Sequence, residues 1–228
     1  MFKINILGIK ISWNYKKRKD SEVIVVKTNG KEIKKRVKGL EVKHRGKGSV
    51  IKVYEPLPGF ERCSVEHGDN YEVVFGSSAY PIRDLHVFLN ESNNCKINIG
   101  KDFSCGSMRL NMQGCNGTEI NIGEDCLFSW GINISCTDHH VITDAKTGLP
   151  LNKNGSVAIG NHCWLCLDVT VNKNSEIPHY TIVGCKSVVC GKFKKTNTIL
   201  GGIPARVVKD ENTSWEHPAY EAYIKQLT

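Results

Sequence analysis

Two adjacent histidines offer the clearest reactive chemistry in the chain. They sit in the polar run Thr137-Asp138-His139-His140-Val141-Ile142. A neutral imidazole, whose ordinary pKa is about 6.5, can take the proton from a hydroxyl near neutral pH. On an extended backbone His139 and His140 point to opposite sides, so only one of them faces a given cleft. Asp138 could orient an imidazole through a carboxylate hydrogen bond; it could equally form the turn that starts a loop. A histidine in a polar loop is by default an ordinary surface residue, so the pair needs a context before it becomes a site. Metal chemistry has less to build on. Cys163 and Cys166 make one C-x2-C pair, and no second cysteine or histidine pair follows at zinc-finger spacing. The expectation is a site that requires no metal.

The elements that would hold these residues follow from a repeat. Between 159 and 189 the chain repeats every six residues. Ile159, Leu165, Val171, Ile177, Val183 and Val189 are aliphatic; Cys163, Val169, Ser175, Thr181 and Ser187, four residues after the first five, are small or β-branched. A helix would space apolar residues three and four apart, and a strand two apart. A period of six instead predicts a triangular solenoid. Each hexad is a short strand plus a corner, and three hexads close one coil. The aliphatic side chain points into the prism and the small one fits near the corner. Ile122, Phe128 and Ile134 carry the same register upstream. Looser copies run from Glu72 to Gly76, Lys96 to Gly100 and Glu119 to Gly123, with glycines 24 and 23 residues apart. Val50 to Val53, Leu85 to Leu89 and Met108 to Met112 supply further sides. At about 4.8 Å per coil, roughly six or seven coils make a prism about 30 Å tall. One coil cannot bury its own apolar face, so stability comes from stacking. His162 and His179 fall at corners and read as structural. Asn111, one coil before the histidines, could present an amide to an oxyanion, though a solvent-facing strand residue is the plainer reading.

The chain divides accordingly. Residues 1–45 are a basic N-terminal extension or the first coils. Residues 46–210 form the prism, with a polar loop leaving it at 140–156. Residues 211–228 are a tail. Trp215 to Leu227 reads as a short helix with Pro218 near its first turn. Tyr220, Tyr223, Ile224 and Leu227 make an apolar stripe that caps the prism or packs on a neighbouring subunit. The net charge is +8, and it is unevenly placed. Residues 1–55 hold sixteen Lys plus Arg against five acids. Such a region can attract phosphates, acidic glycans or an anionic membrane surface, although a merely solvated surface is the plainer reading. It carries few aromatics and no nucleic-acid-binding motif, so no nucleic-acid partner is expected. No apolar run reaches eighteen residues, so no membrane-spanning helix is expected. The ten scattered cysteines, with no export signal, read as free thiols of a cytoplasmic protein.

The run Ile159-Gly160-Asn161-His162-Cys163-Trp164-Leu165-Cys166, followed by Val183-Gly184-Cys185-Lys186-Ser187-Val188-Val189 and Leu200-Gly201-Gly202-Ile203-Pro204-Ala205-Arg206-Val207-Val208-Lys209, resembles the hexapeptide-repeat acyltransferases. Thr137 to Ile142, with Asp144, Thr147-Gly148 and Asn152, resembles the Asp-x-His loop of their lipopolysaccharide and capsule O-acetyltransferases. The resemblance covers about 95–215. It departs at Cys166 and Lys186, where the family usually has glycine, and at Ile203, where asparagine is frequent.

The resemblance implies an all-β fold, a left-handed parallel β-helix, and acetyl-CoA-dependent O-acetylation of a sugar or polysaccharide-precursor hydroxyl. It places the catalytic base at His140, with His139 as the rival. The pantetheine arm of acetyl-CoA would meet backbone groups of Leu167 and Cys185 near Gly184. Trp164 would wall that groove, while Arg206 and Lys209 would meet the nucleotide phosphates. Family members form trimers with active sites between chains, so a homotrimer is expected, with His140 near an adjacent chain's donor contacts. The acceptor would be a sugar, a nucleotide sugar or a lipid-linked glycan, reached in the cytoplasm or at the membrane's inner face, where the basic N-terminus would associate. N-acetylation of an amino sugar and a non-catalytic solenoid are the alternatives. A γ-type carbonic anhydrase on the same fold lacks its ligands, since no His-x4-His pair occurs.

Overall fold

The computed structural model describes residues 2–6, 9–13, 23–43, 46–66, 68–218 and 220–227. From residue 23 the chain winds into a three-sided column. Its faces are two eight-stranded sheets and one seven-stranded sheet, parallel throughout except at two edge strands. One coil visits each face in turn, as in Val157–Ile159, Trp164–Leu165 and Thr170–Val171, before returning to the first face at Glu176–Ile177. In the last coils the step is eighteen residues, since Trp164 pairs with Ile182 and Thr170 with Val188. In the earlier coils it lengthens, and Lys96 pairs with Glu119.

The hexad pattern explains the packing. Leu165, Val171, Val183 and Val189 are wholly buried, and Ile159 and Ile177 nearly so. The small residues Cys163, Val169, Ser175, Thr181 and Ser187 are buried beside them at the corners. Phe128 fills the middle of the prism with its ring edge-on to Phe103 at 5.0 Å. The recurring glycines mark a corner where successive coils touch. A Cβ on Gly100 would meet the backbone carbon of Gly123 at 2.5 Å, and one on Gly123 that of Gly160 at 2.6 Å. All ten cysteines are free, and eight are buried.

Val23–Val26 pairs in parallel with Val50–Tyr54, so residues 23–43 belong to the column. Glu32–Lys35 runs antiparallel along the outside of that first strand. At the other end Ala205–Lys209 folds back antiparallel on Ile199–Gly202. Phe2–Ile6 and Ile9–Trp13 pair as a separate antiparallel ribbon. Residues 14–22 of the basic stretch, and the side chains of Tyr220 and Tyr223, lie outside the described residues.

The tail corrects one expectation. The helix spans Tyr220–Leu227 and does not include Trp215. Trp215 is buried against the column, its ring stacked on His162 at 4.6 Å and its indole N–H donated to the His162 carbonyl at 2.9 Å. That burial and hydrogen bond replace what a helical turn would supply. His162 also bonds Asp125 at 2.7 Å, as does His217 at 2.8 Å. Ile224 and Leu227 of the expected stripe are exposed in the single chain.

Candidate active site

The strand Ile132–Ser135 ends on the seven-stranded face, and the chain then leaves the column until Val157. The excursion is an ordered hairpin. Asp144 turns it, its carboxylate accepting from the amides of Lys146 at 2.9 Å and Thr147 at 2.7 Å. Hydrogen bonds from Thr147 and Lys146 hold the Asp144 carboxyl below its ordinary range. Asn152 on the returning arm then grips the outgoing one. Its amide nitrogen donates to Asp138 at 2.7 Å and to the His140 carbonyl at 2.9 Å, and its oxygen accepts from the Ile142 amide at 2.8 Å.

Asp138 therefore ties the loop together through other side chains. Its Oδ2 takes hydrogen bonds from Lys173 and from Asn152, and neither partner is an imidazole. The Lys173 ammonium, then Asn152, hold its carboxyl below the usual range. Lys173 also donates to the Lys153 carbonyl at 2.8 Å, which joins both arms to the coil above.

The two histidines part ways at this turn. His139 adopts φ +64°, and its amide donates to Thr137 Oγ1 at 3.0 Å. Its Nε2 lies 2.8 Å from the Asn111 side-chain nitrogen. Asn111 Oδ1 accepts from the Gln113 amide at 3.3 Å, which leaves the Asn111 nitrogen as donor and His139 Nε2 as acceptor. The neutral His139 ring then carries its proton on Nδ1. The His140 imidazole has no hydrogen-bond partner among the described residues. Both histidines line one groove of about 440 Å³ with Gln113, Asn116, Asn152 and Asn154.

The residues assigned to the donor lie elsewhere. Leu167 is exposed at the corner that precedes the seven-stranded face, next to the equivalent corner of the coil before, where the exposed Trp130 accepts at its carbonyl from the Asp168 amide at 2.9 Å. The Lys186 amide donates likewise to Leu167 at 2.8 Å, which stacks Cys185 beside them. Lys186 holds φ +58°, the conformation for which glycine is the usual choice. Cys166 is buried, so its side chain does not fill the corner. Burial and neighbouring Cys185 push its thiol up to about 12, which keeps it protonated and unreactive. Gly184 is packed at ordinary contact distance, since an added Cβ would meet the Leu200 carbonyl at 3.4 Å and Ser187 Oγ at 3.9 Å. Trp164 is half-buried on the eight-stranded face that leads into this corner, its indole N–H donated to Ser129 Oγ at 3.4 Å. Arg206 and Lys209 are exposed on the last strand, beyond the final coil.

Within one chain the structure brings together Asn111, Asp138, His139 and His140, but it does not bring them to the donor residues. Trp130 precedes the strand Ile132–Ser135 and Thr137 follows it. The two groups thus flank a sheet about 13 Å wide, four residues at about 3.3 Å each. Asn152 was visible only as part of a motif, and Lys173 went unread. The signal for Lys173 was the ladder itself: Ile134 pairs with Val171, which sets Lys173 level with Cys136.

No protein-family model matches the chain. It is 33% identical over 170 residues to the polysialic acid O-acetyltransferase of Neisseria meningitidis, a match covering 70% of this chain and 78% of that one. The chain belongs to the hexapeptide-repeat O-acetyltransferase family. The solved structure of NeuO, a polysialic acid-specific acetyltransferase, superposes with a TM-score of 0.55 at 18% identity, covering 84% of this chain and all of that one. The polysialic acid O-acetyltransferase OatWY gives 0.52 at 24%, covering 82% and 92%. The fold of this O-acetyltransferase is the left-handed parallel β-helix expected from the resemblance. Among the described residues no helix is long and apolar enough to cross a membrane, and no three metal-ligating side chains group together.

Proposed function

We propose that this O-acetyltransferase acts on a sugar hydroxyl of a polysaccharide or its precursor with acetyl-CoA as donor, that His140 is the general base, and that the working unit is a homotrimer. The observation that carries the reading is the unequal state of the two histidines. Asn111 occupies the His139 Nε2 lone pair at 2.8 Å, while the His140 ring in the same groove has no hydrogen-bond partner among the described residues. A general base needs an available lone pair within reach of the acceptor proton.

Bound acetyl-CoA supplies the acetyl group as a thioester. The residues at the Leu167–Cys185 corner suit it: the backbone is exposed, the corner is not filled by Cys166, and the Cys166 thiol is too weakly acidic to compete for the acyl group. Arg206 and Lys209 give two exposed cations for its phosphates. His140 takes the acceptor proton as the sugar oxygen becomes nucleophilic. His139, anchored by Asn111 at 2.8 Å, fixes the turn from which His140 projects. Asp138, Asn152 and Lys173 hold that turn to the column. Because base and donor corner lie on opposite edges of one face, the base of one chain must meet the donor corner of another. A closed ring of copies satisfies this. Val141, Ile142, Leu149 and Leu151 of the hairpin, all exposed in one chain, would be covered in it.

The test is acetyl transfer from acetyl-CoA to polysialic acid and to simple galactosides, read by mass, for His140→Ala and His139→Ala. His140→Ala should lose about a hundredfold or more, with His139→Ala retaining clearly more activity. Near-full activity in His140→Ala, or a monomer by light scattering that still transfers, would overturn this assignment.

A further inference from the structure

A second concavity, of about 770 Å³, opens on the seven-stranded face over the first coils. Arg36, Lys38 and Arg62 line it. Lys43 lines it too but is neutralised by Glu66 at 2.7 Å. Glu41 is the other acid on its wall. Lys38 and Arg62 have no carboxylate partner among the described residues, so the cleft carries a positive surplus. It shares no residue with the histidine groove.

The same face connects the two. His86 closes the upper edge of the cleft, and its partner one coil on is the exposed Arg109. Phe88, two residues past His86 on the same outward side, pairs with Asn111, whose amide holds His139. One strand spacing and two residues separate His86 from Asn111, a distance on the order of 8 Å. A chain lying in the cleft would cross Arg109 and Phe88 on its way to the histidines.

We propose that this cleft is the docking track of an acidic glycan acceptor, which binds Arg36, Lys38 and Arg62 remotely while a distal sugar reaches His140. The inference rests on the O-acetyltransferase reading above and names its acceptor class. A glycan fits better than a lipid surface for two reasons. The cationic residues line a concavity, whereas a bilayer meets a surface that projects. The half-buried Phe88 ring between cleft and base offers an apolar platform of the kind a sugar's C–H face packs on.

The test uses the full chain, with polysialic acid as the anionic polymer and phosphatidylserine vesicles as the lipid arm. Wild type should bind polysialic acid, more weakly as salt rises. Arg36→Ala/Lys38→Ala/Arg62→Ala should bind about tenfold more weakly, the loss expected for three exposed ion pairs, and show a matching rise in KM for the polymer. Lys192→Ala/Lys194→Ala/Lys195→Ala, which removes equal charge at the other end of the column, should bind like wild type. Equal binding by the cleft variant, no binding by wild type at low salt, equal loss in both triple variants, or capture by the vesicles alone would each overturn the proposal. A wild type that binds the polymer through the cleft yet acetylates no sugar would sink the reaction and leave the docking track standing.

Discussion

Asn152→Ala isolates what holds the histidine turn. The substitution removes three hydrogen bonds at once, to Asp138, to the His140 carbonyl and from the Ile142 amide. The loop is solvent-facing, so each bond is worth the low end of the usual net range, about 0.5 kcal/mol. Together they give about 1.5 kcal/mol, or roughly tenfold in the population of the closed turn. Two readouts should therefore move together. Hydrogen exchange at the Ile142 amide should speed by about tenfold, since local opening controls it, and kcat/KM should fall by about the same factor. The melting temperature should drop by less than about 5 °C, because the column does not depend on the hairpin. Asn152→Asp separates the contributions. It keeps an acceptor for the Ile142 amide but sets a second carboxylate against Asp138, so activity should fall while Ile142 protection persists. If Asn152→Ala loses activity with unchanged exchange, Asn152 acts on substrate directly and the reasoning about loop order is wrong. Faster exchange with full activity refutes it from the other side.

Lys173→Met tests the anchor of Asp138 through pH. The Asp138 pKa is lowered in the folded chain, so its contribution is present above the ordinary carboxylate value of about 4 and is lost as pH falls through the depressed one. Without Lys173, acid opening of the hairpin, followed by Ile142 exchange, should begin at a higher pH; an unchanged profile contradicts the pairing. Asp125→Ala should release the tail, because burial, which opposes charge there, is outweighed by hydrogen bonds from His162 and His217. Trp215 fluorescence should shift to the red, and a native spectrum would show that stacking alone holds it. Phe128→Ala should cost about 3–5 kcal/mol in the closely packed prism, lowering the melting temperature by roughly 10 °C as followed by circular dichroism.

The column was legible because its interior obeys one rule per turn: every sixth residue faces inward, and Leu165, Val171, Val183 and Val189 are fully buried as that rule requires. The glycine spacing was legible too, since a coil corner with no room for a Cβ must repeat with the coil. The wiring of the site was not. The excursion stretches one step of the ladder to 37 residues between Asn133 and Thr170, which hides that Lys173 stands over Asp138. For Asp138 the sequence leaves an imidazole and the loop turn equally open; its place in the loop follows the second, but sequence adjacency says nothing about a cation arriving from the next coil. Nothing in the local sequence marks Trp215 as lying outside the tail helix. Its partner, His162, lies 53 residues away, beyond any local pattern.

The two strands that run against the grain of the column have a consequence for assembly. A stack of parallel strands exposes unpaired amides and carbonyls at top and bottom, and identical molecules could continue it end to end as a fibre. Glu32–Lys35 blocks one such rim and Ala205–Lys209 another, each reversing the direction that a docking copy would need to match. Both present charged side chains outward, Lys34 and Lys209 among them. Growth along the axis is thereby discouraged, which leaves the flat sides of the column as the surfaces open to contact with another molecule.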